Sequence, residues 1–311
     1  MMKNKIVFAG SPDFAVESLQ KLYDNPNNEI QLVISQQDKK RNRNKFSPTA
    51  VKKRAMDLGI KVITPKNIND DEVFDMLDKL NPDFIVVVAY GQLIKKRILD
   101  RFKNRILNVH ASILPKYRGA APINYSLLNG DKESGVSIML VEEGLDTGDI
   151  LAIDKIDLDD KIMLEELHDK LMVMGAGLIN KVIDDYHNYF DSRIKQNEEE
   201  ASTVGKINKS MGEIDFNEKS DVIYNKFRGL TPWPGLFFKL NEKKVKVHNI
   251  NIIKQYNNKK NGEVVKVDKN GIKVSCEDGF IVITRLQLPN KKPLNVSEYL
   301  NGNSFEEGII L

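Results

Sequence analysis

The sequence predicts an α/β protein in two parts, a parallel sheet covered by helices on both faces and then a small β-barrel. Across residues 1–190, short apolar runs alternate with amphipathic stretches, the pattern of strands and crossover helices in a parallel sheet. The run Ile85–Val88 is apolar at every position, as a central strand buried on both sides must be. In the last hundred residues, short strand-like runs separated by regular turns take over, as in small barrels.

Taken in order, Lys5–Gly10, Glu29–Ser35, Ile60–Thr64, Asp83–Tyr90, Ile106–His110 and Val136–Val141 are the expected strands of the first part. Phe14–Leu22, Pro48–Leu58 and Asp70–Leu80 are the helices between them. A long helix should run from Leu164 to Tyr189, with Leu164, Leu167, His168, Leu171 and Met174 near one face. His168 is therefore assigned to packing. Residues 191–209 lose their periodicity and read as a linker, with Glu198–Glu200 a solvated loop. From 210 to 311 follow a helix, Glu218–Arg228, and strands at Gly235–Leu240, Lys244–Asn249, Gly262–Val267, Gly271–Cys276 and Phe280–Leu286. The domain limits expected are thus 1–190 and 210–311.

Composition excludes several classes. With 41% hydrophobic and 29% charged residues in 311, the chain has an ordinary globular balance. A single cysteine, Cys276, excludes an intrachain disulfide framework and fits a reducing cytoplasm. No apolar run reaches membrane-spanning length, and the N-terminus moves straight into a strand. One cysteine and scattered histidines offer no metal-ligand spacing. The net charge of +3 is unevenly placed. Residues from Lys206 onward carry 18 basic and 12 acidic side chains, against 29 and 32 before them. That asymmetry suits a polyanionic partner for the second part.

The chemistry gathers between Asn108 and Asp149. Asn108 and His110 stand two apart at the end of an apolar strand and so project to one side of it. A carboxylate, Asp146, follows in a glycine-flanked loop. In an open parallel sheet, ligands bind beyond the carboxyl ends of strands near a topological switch point, which is where these residues fall. Acyl transfer to an amine needs no protein nucleophile, only a donor for the oxyanion and an acceptor for the proton. An amide, an imidazole and a carboxylate supply that set. Each alone has a plainer reading as a turn former, a structural histidine or a loop cap, and their combination carries the inference. The turn AGSPDF lacks the glycines of a dinucleotide fingerprint, which argues against NAD.

The string NVHASILPKYRGAAPI, preceded by VVVAYGQLI and followed by GLDTGDIL, resembles the 10-formyltetrahydrofolate-dependent formyltransferases. It is most similar to the branch acting on initiator methionyl-tRNA, from AGSPDFA near the N-terminus to RGLTPWPG in the last third. The resemblance implies a Rossmann-like catalytic domain, an OB-like C-terminal domain and formylation of the methionyl α-amine for translation initiation. It also implies that Asn108, His110 and Asp146 form the catalytic trio, Asp146 pairing with His110. The co-substrate 10-formyltetrahydrofolate would lie against Ser112, Ile113, Leu114 and Pro115, with Val88, Ala89, Tyr90 and Gly91 as a second wall. Phe14 would touch the methionyl end of the substrate.

For tRNA, Lys39, Lys40, Arg41, Arg43 and Lys45 crowd into seven residues at the place where that branch carries a basic loop. The loop departs from the branch's D-R-P-x-G-R-G pattern; Arg43 is the best match to its functional arginine, with Arg41 as competitor. Lys52, Lys53 and Arg54 would extend the patch. Lys206, Lys209, Lys244 and Lys246, with Lys243 and Lys254, are the barrel's phosphate candidates. Trp233 is expected to anchor the second domain. The rival readings are a sugar-nucleotide N-formyltransferase using the same trio and an RNA-binding protein that keeps the scaffold without the reaction. No membrane and no obligate protein partner is expected.

Overall fold

The structure, a computed structural model, describes residues 3–40 and 46–311. It divides into two compact units: Met1–Pro122, Glu133–Asp157 and Leu167–Val204 form the first, and Ile123–Lys132, Leu158–Glu166 and Gly205–Leu311 the second.

The strands of the first unit are β1 (Asn4–Gly10), β2 (Asn28–Ile34), β3 (Lys39–Lys40), β4 (Phe46–Ser47), β5 (Val62–Ile63), β6 (Phe84–Val88), β7 (Ile106–His110), β8 (Arg118–Gly119), β9 (Glu133–Leu140), β10 (Ile150–Asp157) and β11 (Thr203–Val204). Seven of them make one sheet in the order β10-β9-β7-β6-β1-β2-β5. The five from β7 to β5 are parallel, because each connection between them is a crossover through a helix. Those helices are α1 (Val16–Asp24), α2 (Ala50–Asp57), α3 (Asp71–Leu80) and α4 (Lys96–Arg101). Ile6, Val7, Phe8, Ala9, Ile85 and Val86 are buried on both faces of the central strands.

From β1 the chain first builds outward through β2 and β5, then returns to build β6 and β7 on the other side. The switch point therefore lies between β1 and β6. The loops leaving those strands are tied there, Ser11 Oγ donating to the Tyr90 carbonyl at 3.5 Å and Gln36 Nε2 to the same oxygen at 2.7 Å.

Some elements differ from the sequence expectation. The sheet has an antiparallel edge, β9 against β7 and β10 against β9. The strand expected at Ile60–Thr64 is reduced to two paired residues at the opposite edge, where only one neighbour holds it. The long helix runs as α6 (Leu164–Asp184), and a separate α7 (Tyr186–Asp191) begins after the break at Asp185.

In the second unit, α5 (Pro122–Leu128) and α8 (Ser220–Leu230) accompany an antiparallel sheet. Its strands are β12 (Leu236–Leu240), β13 (Lys243–Lys254), β14 (Val264–Asp268), β15 (Gly271–Cys276), β16 (Gly279–Gln287) and the two-residue β17 (Leu294–Asn295). They follow the order β12-β13-β16-β15-β14, with β17 beside β16. Alternate residues of these strands, among them Phe238, Val245, Val247, Ile272, Val274, Ile281 and Ile283, meet Ile223 and Phe227 of α8 in one core. One core enclosed by a single antiparallel sheet gives this unit its barrel-like character. Burial pushes the Cys276 thiol up to about 11, so it sits there as a small apolar side chain. Among the described residues, no helix is long and apolar enough to cross a membrane.

Candidate active site

Asn108 and His110 occupy the carboxyl end of β7, on one face by the alternation of the strand. His110 is buried, and its Nε2 lies 2.9 Å from the carbonyl oxygen of Tyr117. A carbonyl only accepts, so Nε2 carries the hydrogen and Nδ1 is left as the ring's proton-exchanging nitrogen. Nδ1 stands 3.7 Å from Asp146 Oδ2, close enough for charge interaction but too far for a direct hydrogen bond. Asp146 Oδ2 instead accepts from the Gly119 backbone N–H at 2.8 Å. The Asn108 carboxamide has no hydrogen-bond partner among the described residues and is a donor in reserve. The structure therefore gathers all three predicted catalytic residues at one strand end.

The loop that places the Tyr117 carbonyl is built from SILPKY. Ser112 Oγ donates to the Lys116 carbonyl at 2.6 Å, and Lys116 N to Ile113 O at 3.2 Å. Ser137 of β9, fully buried, accepts from Leu114 N at 3.1 Å and donates to Ser112 O at 2.7 Å. Ser137 was not singled out from the sequence, though a serine inside the apolar run VSIML was its signal.

Asp146 takes a left-handed backbone conformation, φ +54°. Two residues on, a side chain at Gly148 would put its Cβ 2.0 Å from the Leu140 carbonyl, so only glycine closes this loop. The loop is supported by residues 194–204, a stretch expected to be linker. Gln196 Nε2 donates to Asp146 O at 2.9 Å and Gly148 O at 2.8 Å. Gln196 Oε1 accepts from Arg118 Nε at 3.0 Å, and the Arg118 guanidinium grips Glu198 at 2.8 and 2.9 Å. β11 pairs with β8 in parallel. The stretch looked like linker because its partners are backbone groups and one arginine, which leave no apolar period. Arg118 holds the Glu198 carboxyl below the usual carboxylate range. With the folded value depressed, the pair's contribution is complete above the ordinary Glu value and is lost as pH falls through the folded one.

Gly119 tests this construction. Its φ is +112°, and an added Cβ would lie 2.4 Å from the Val204 carbonyl. Gly119→Ala should cost about 1–3 kcal/mol and, by shifting the N–H that holds Asp146, reduce turnover as well. Thermal denaturation and a rate assay on the same preparation check both.

Around this centre the expected folate residues divide by exposure. Ser112, Leu114, Val88 and Tyr90 are buried within the fold, whereas Ile113 and Pro115 are half-buried and Ala89 and Gly91 exposed. The wall offered to a ligand is therefore two side chains and a stretch of open backbone. The Tyr90 hydroxyl is buried without a partner, and burial pushes it up to about 12. Phe14, expected at the substrate, is 7% exposed and packs edge-on against His168 at 5.4 Å, because its 3₁₀ turn points it inward. His168 is correspondingly less buried than expected, with Nδ1 3.0 Å from Asp169.

Of the basic loop, Arg41, Arg43 and Lys45 lie outside the described residues. Lys39 and Lys40 pair backbone to backbone with Phe46 and Ser47 as the β3–β4 ladder. Lys52 is committed to Asp38 at 2.8 Å and Arg54 to Gln20 at 2.7 Å, so neither is a free extension of the patch. In the second unit, Lys206, Lys209, Lys244 and Lys246 are exposed. Lys244 Nζ lies 3.4 Å from the centre of the Phe237 ring. Desolvation, then the charges of Lys246 and Lys209, lower its pKa. Lys254 is paired with Asp221. Trp233, expected as an anchor, is 52% exposed. Among the described residues, no group of three or more His, Cys, Asp or Glu side chains forms a metal site.

Residues 3–183 match the model of the formyl transferase family, and residues 206–304 that of the formyl transferase C-terminal domain. A methionyl-tRNA formyltransferase of Finegoldia magna is 89% identical over the full length of both chains. Another, from Clostridium acetobutylicum, is 43% identical over 99% of each. Among solved structures, a sugar 3N-formyl transferase, crystallised in the presence of dTDP and 5-N-formyl-THF, superposes with a TM-score of 0.67 at 25% identity. That match covers 94% of this chain and 99% of the other.

Proposed function

Because the chain belongs to the methionyl-tRNA formyltransferases, within the formyl transferase family, we propose that it transfers a formyl group from 10-formyltetrahydrofolate to the α-amino group of methionine on initiator tRNA. The observation that carries this reading is the Asn108 carboxamide, free to donate, beside a histidine and a carboxylate at one strand end.

The amine nitrogen attacks the formyl carbon, and the carbonyl electron pair moves onto oxygen. Asn108 donates its amide N–H to that oxyanion. The Nε2–H of His110 is committed to Tyr117, so only the imidazolium has a second N–H, on Nδ1, to offer. Asp146 supplies the compensating negative charge 3.7 Å from that nitrogen. Its carboxylate receives the proton lost by the amine, directly or through one water. The intermediate collapses when the bond from carbon to N10 breaks, and the proton returns to N10. Bonds and charge then balance, with no protein nucleophile.

The half-buried Ile113 and Pro115 and the open backbone at Ala89–Gly91 suit a flat heterocycle with hydrogen-bonding edges. Lys209, Lys244 and Lys246 suit a phosphate backbone, whose binding weakens as salt rises.

Transfer of labelled formyl, offered to initiator methionyl-tRNA, elongator methionyl-tRNA and an amino-sugar nucleotide in parallel, tests the proposal. Preference for initiator tRNA, with KM rising steeply with salt, is the expected result. Activity confined to the sugar nucleotide would retain the chemistry and overturn the substrate.

A further inference from the structure

We infer that Gln196 is a positioning residue for the reaction, holding the Asp146 loop in the conformation that sets the carboxylate against His110. The inference rests on the reading of Asp146 as a catalytic group.

The loop between β9 and β10 needs such a hold. Residues 142–145 are exposed, and Asp146 itself is in a left-handed conformation that a non-glycine residue adopts only when its surroundings impose it. The neck is closed by Leu140 N donating to Asp149 O at 2.9 Å. Above the neck, Gln196 supplies two bonds from one amide nitrogen, one to the carbonyl of Asp146 and one to that of Gly148. Both hydrogens of the amide are thereby used.

Its orientation is fixed by chemistry. Arg118 Nε has no lone pair to offer, so the group it meets at 3.0 Å must be the amide oxygen, which turns the NH₂ toward the two carbonyls. Arg118 is in turn immobilised by Glu198, and Gln196 is buried. Glu198, Arg118, Gln196 and the Asp146 loop thus form one chain of hydrogen bonds. The Asp146 carboxylate is held separately, by Gly119 N–H from the residue after Arg118. Backbone and carboxylate of Asp146 are referenced to the same short segment. The gap of 3.7 Å to His110 depends on that shared reference. Gln196 does not touch the reacting atoms, so its effect must pass through Asp146.

Gln196→Glu is nearly isosteric and keeps the acceptor for Arg118, but turns an oxygen toward two carbonyls in place of the donors. It is expected to lower kcat about 10- to 100-fold, the range for partners that orient a site's ligands, with KM for tRNA and folate within about threefold. The same substitution made in Asp146→Ala should add less than about twofold, because the group it positions is gone. Gln196→Met, of similar length and without charge, repeats the test if the glutamate variant loses its fold, with the thermal midpoint recorded beside kcat. Full turnover in a folded Gln196 variant, with Asp146→Ala inactive, overturns the positioning role alone. An equal loss with and without Asp146 also overturns it, since Gln196 then acts through something else. Full activity of Asp146→Ala removes both the inference and the active-site reading beneath it.

Discussion

Asp146→Asn is expected to lower kcat by about 10²–10⁴, the range for losing a positioned general acid or base, with little change in KM for either substrate. The replacement is close to isosteric, and its amide oxygen can still accept from Gly119 N–H, so the loop has no reason to move. What disappears is the negative charge 3.7 Å from His110 Nδ1 and the capacity to take the amine's proton. Both are needed as charge develops and not while the substrates bind, which is why the loss belongs in kcat. Single-turnover transfer of labelled formyl from a preformed complex is the clean measurement. Wild-type kcat in a folded Asp146→Asn protein would remove the carboxylate from the mechanism.

The second large effect concerns Asn108. Asn108→Ala should cost about 10²–10³ in kcat, the usual loss for one oxyanion donor, or about 2.7–4 kcal/mol of barrier. Its carboxamide has no partner among the described residues, so removing it breaks none of their hydrogen bonds. Stability should stay within about 0.5 kcal/mol, as for changes that disturb no buried partner. An unaltered denaturation curve beside a large kinetic defect is the signature, and proportionate losses of both would assign Asn108 to structure.

The fold and the meeting of Asn108, His110 and Asp146 at one strand end were legible because each had a repeating or local signal. Ile85–Val88 is apolar throughout and lies at the sheet centre. Asn108 and His110 needed only the alternation of one strand. The hold on the Asp146 loop had no such signal. Gln196 and Arg118 are 78 residues apart, and a polar stretch whose partners are carbonyls looks like linker until the partners are in place. Phe14 was ambiguous for a different reason. An aromatic side chain in a turn beside a binding site reads equally well as contact or as core, and here it packs against His168.

The strap formed by residues 194–204 bears on how this enzyme is dissected. The region matching the formyl transferase model ends at residue 183, and the C-terminal match begins at residue 206. A fragment cut at the first limit would contain Asn108, His110 and Asp146 and the whole seven-stranded sheet, yet lack Gln196, Glu198 and β11. Inactivity in such a fragment would not measure what the C-terminal unit contributes. A fair comparison must carry the chain through Val204, where the contacts that complete the Asp146 loop stop.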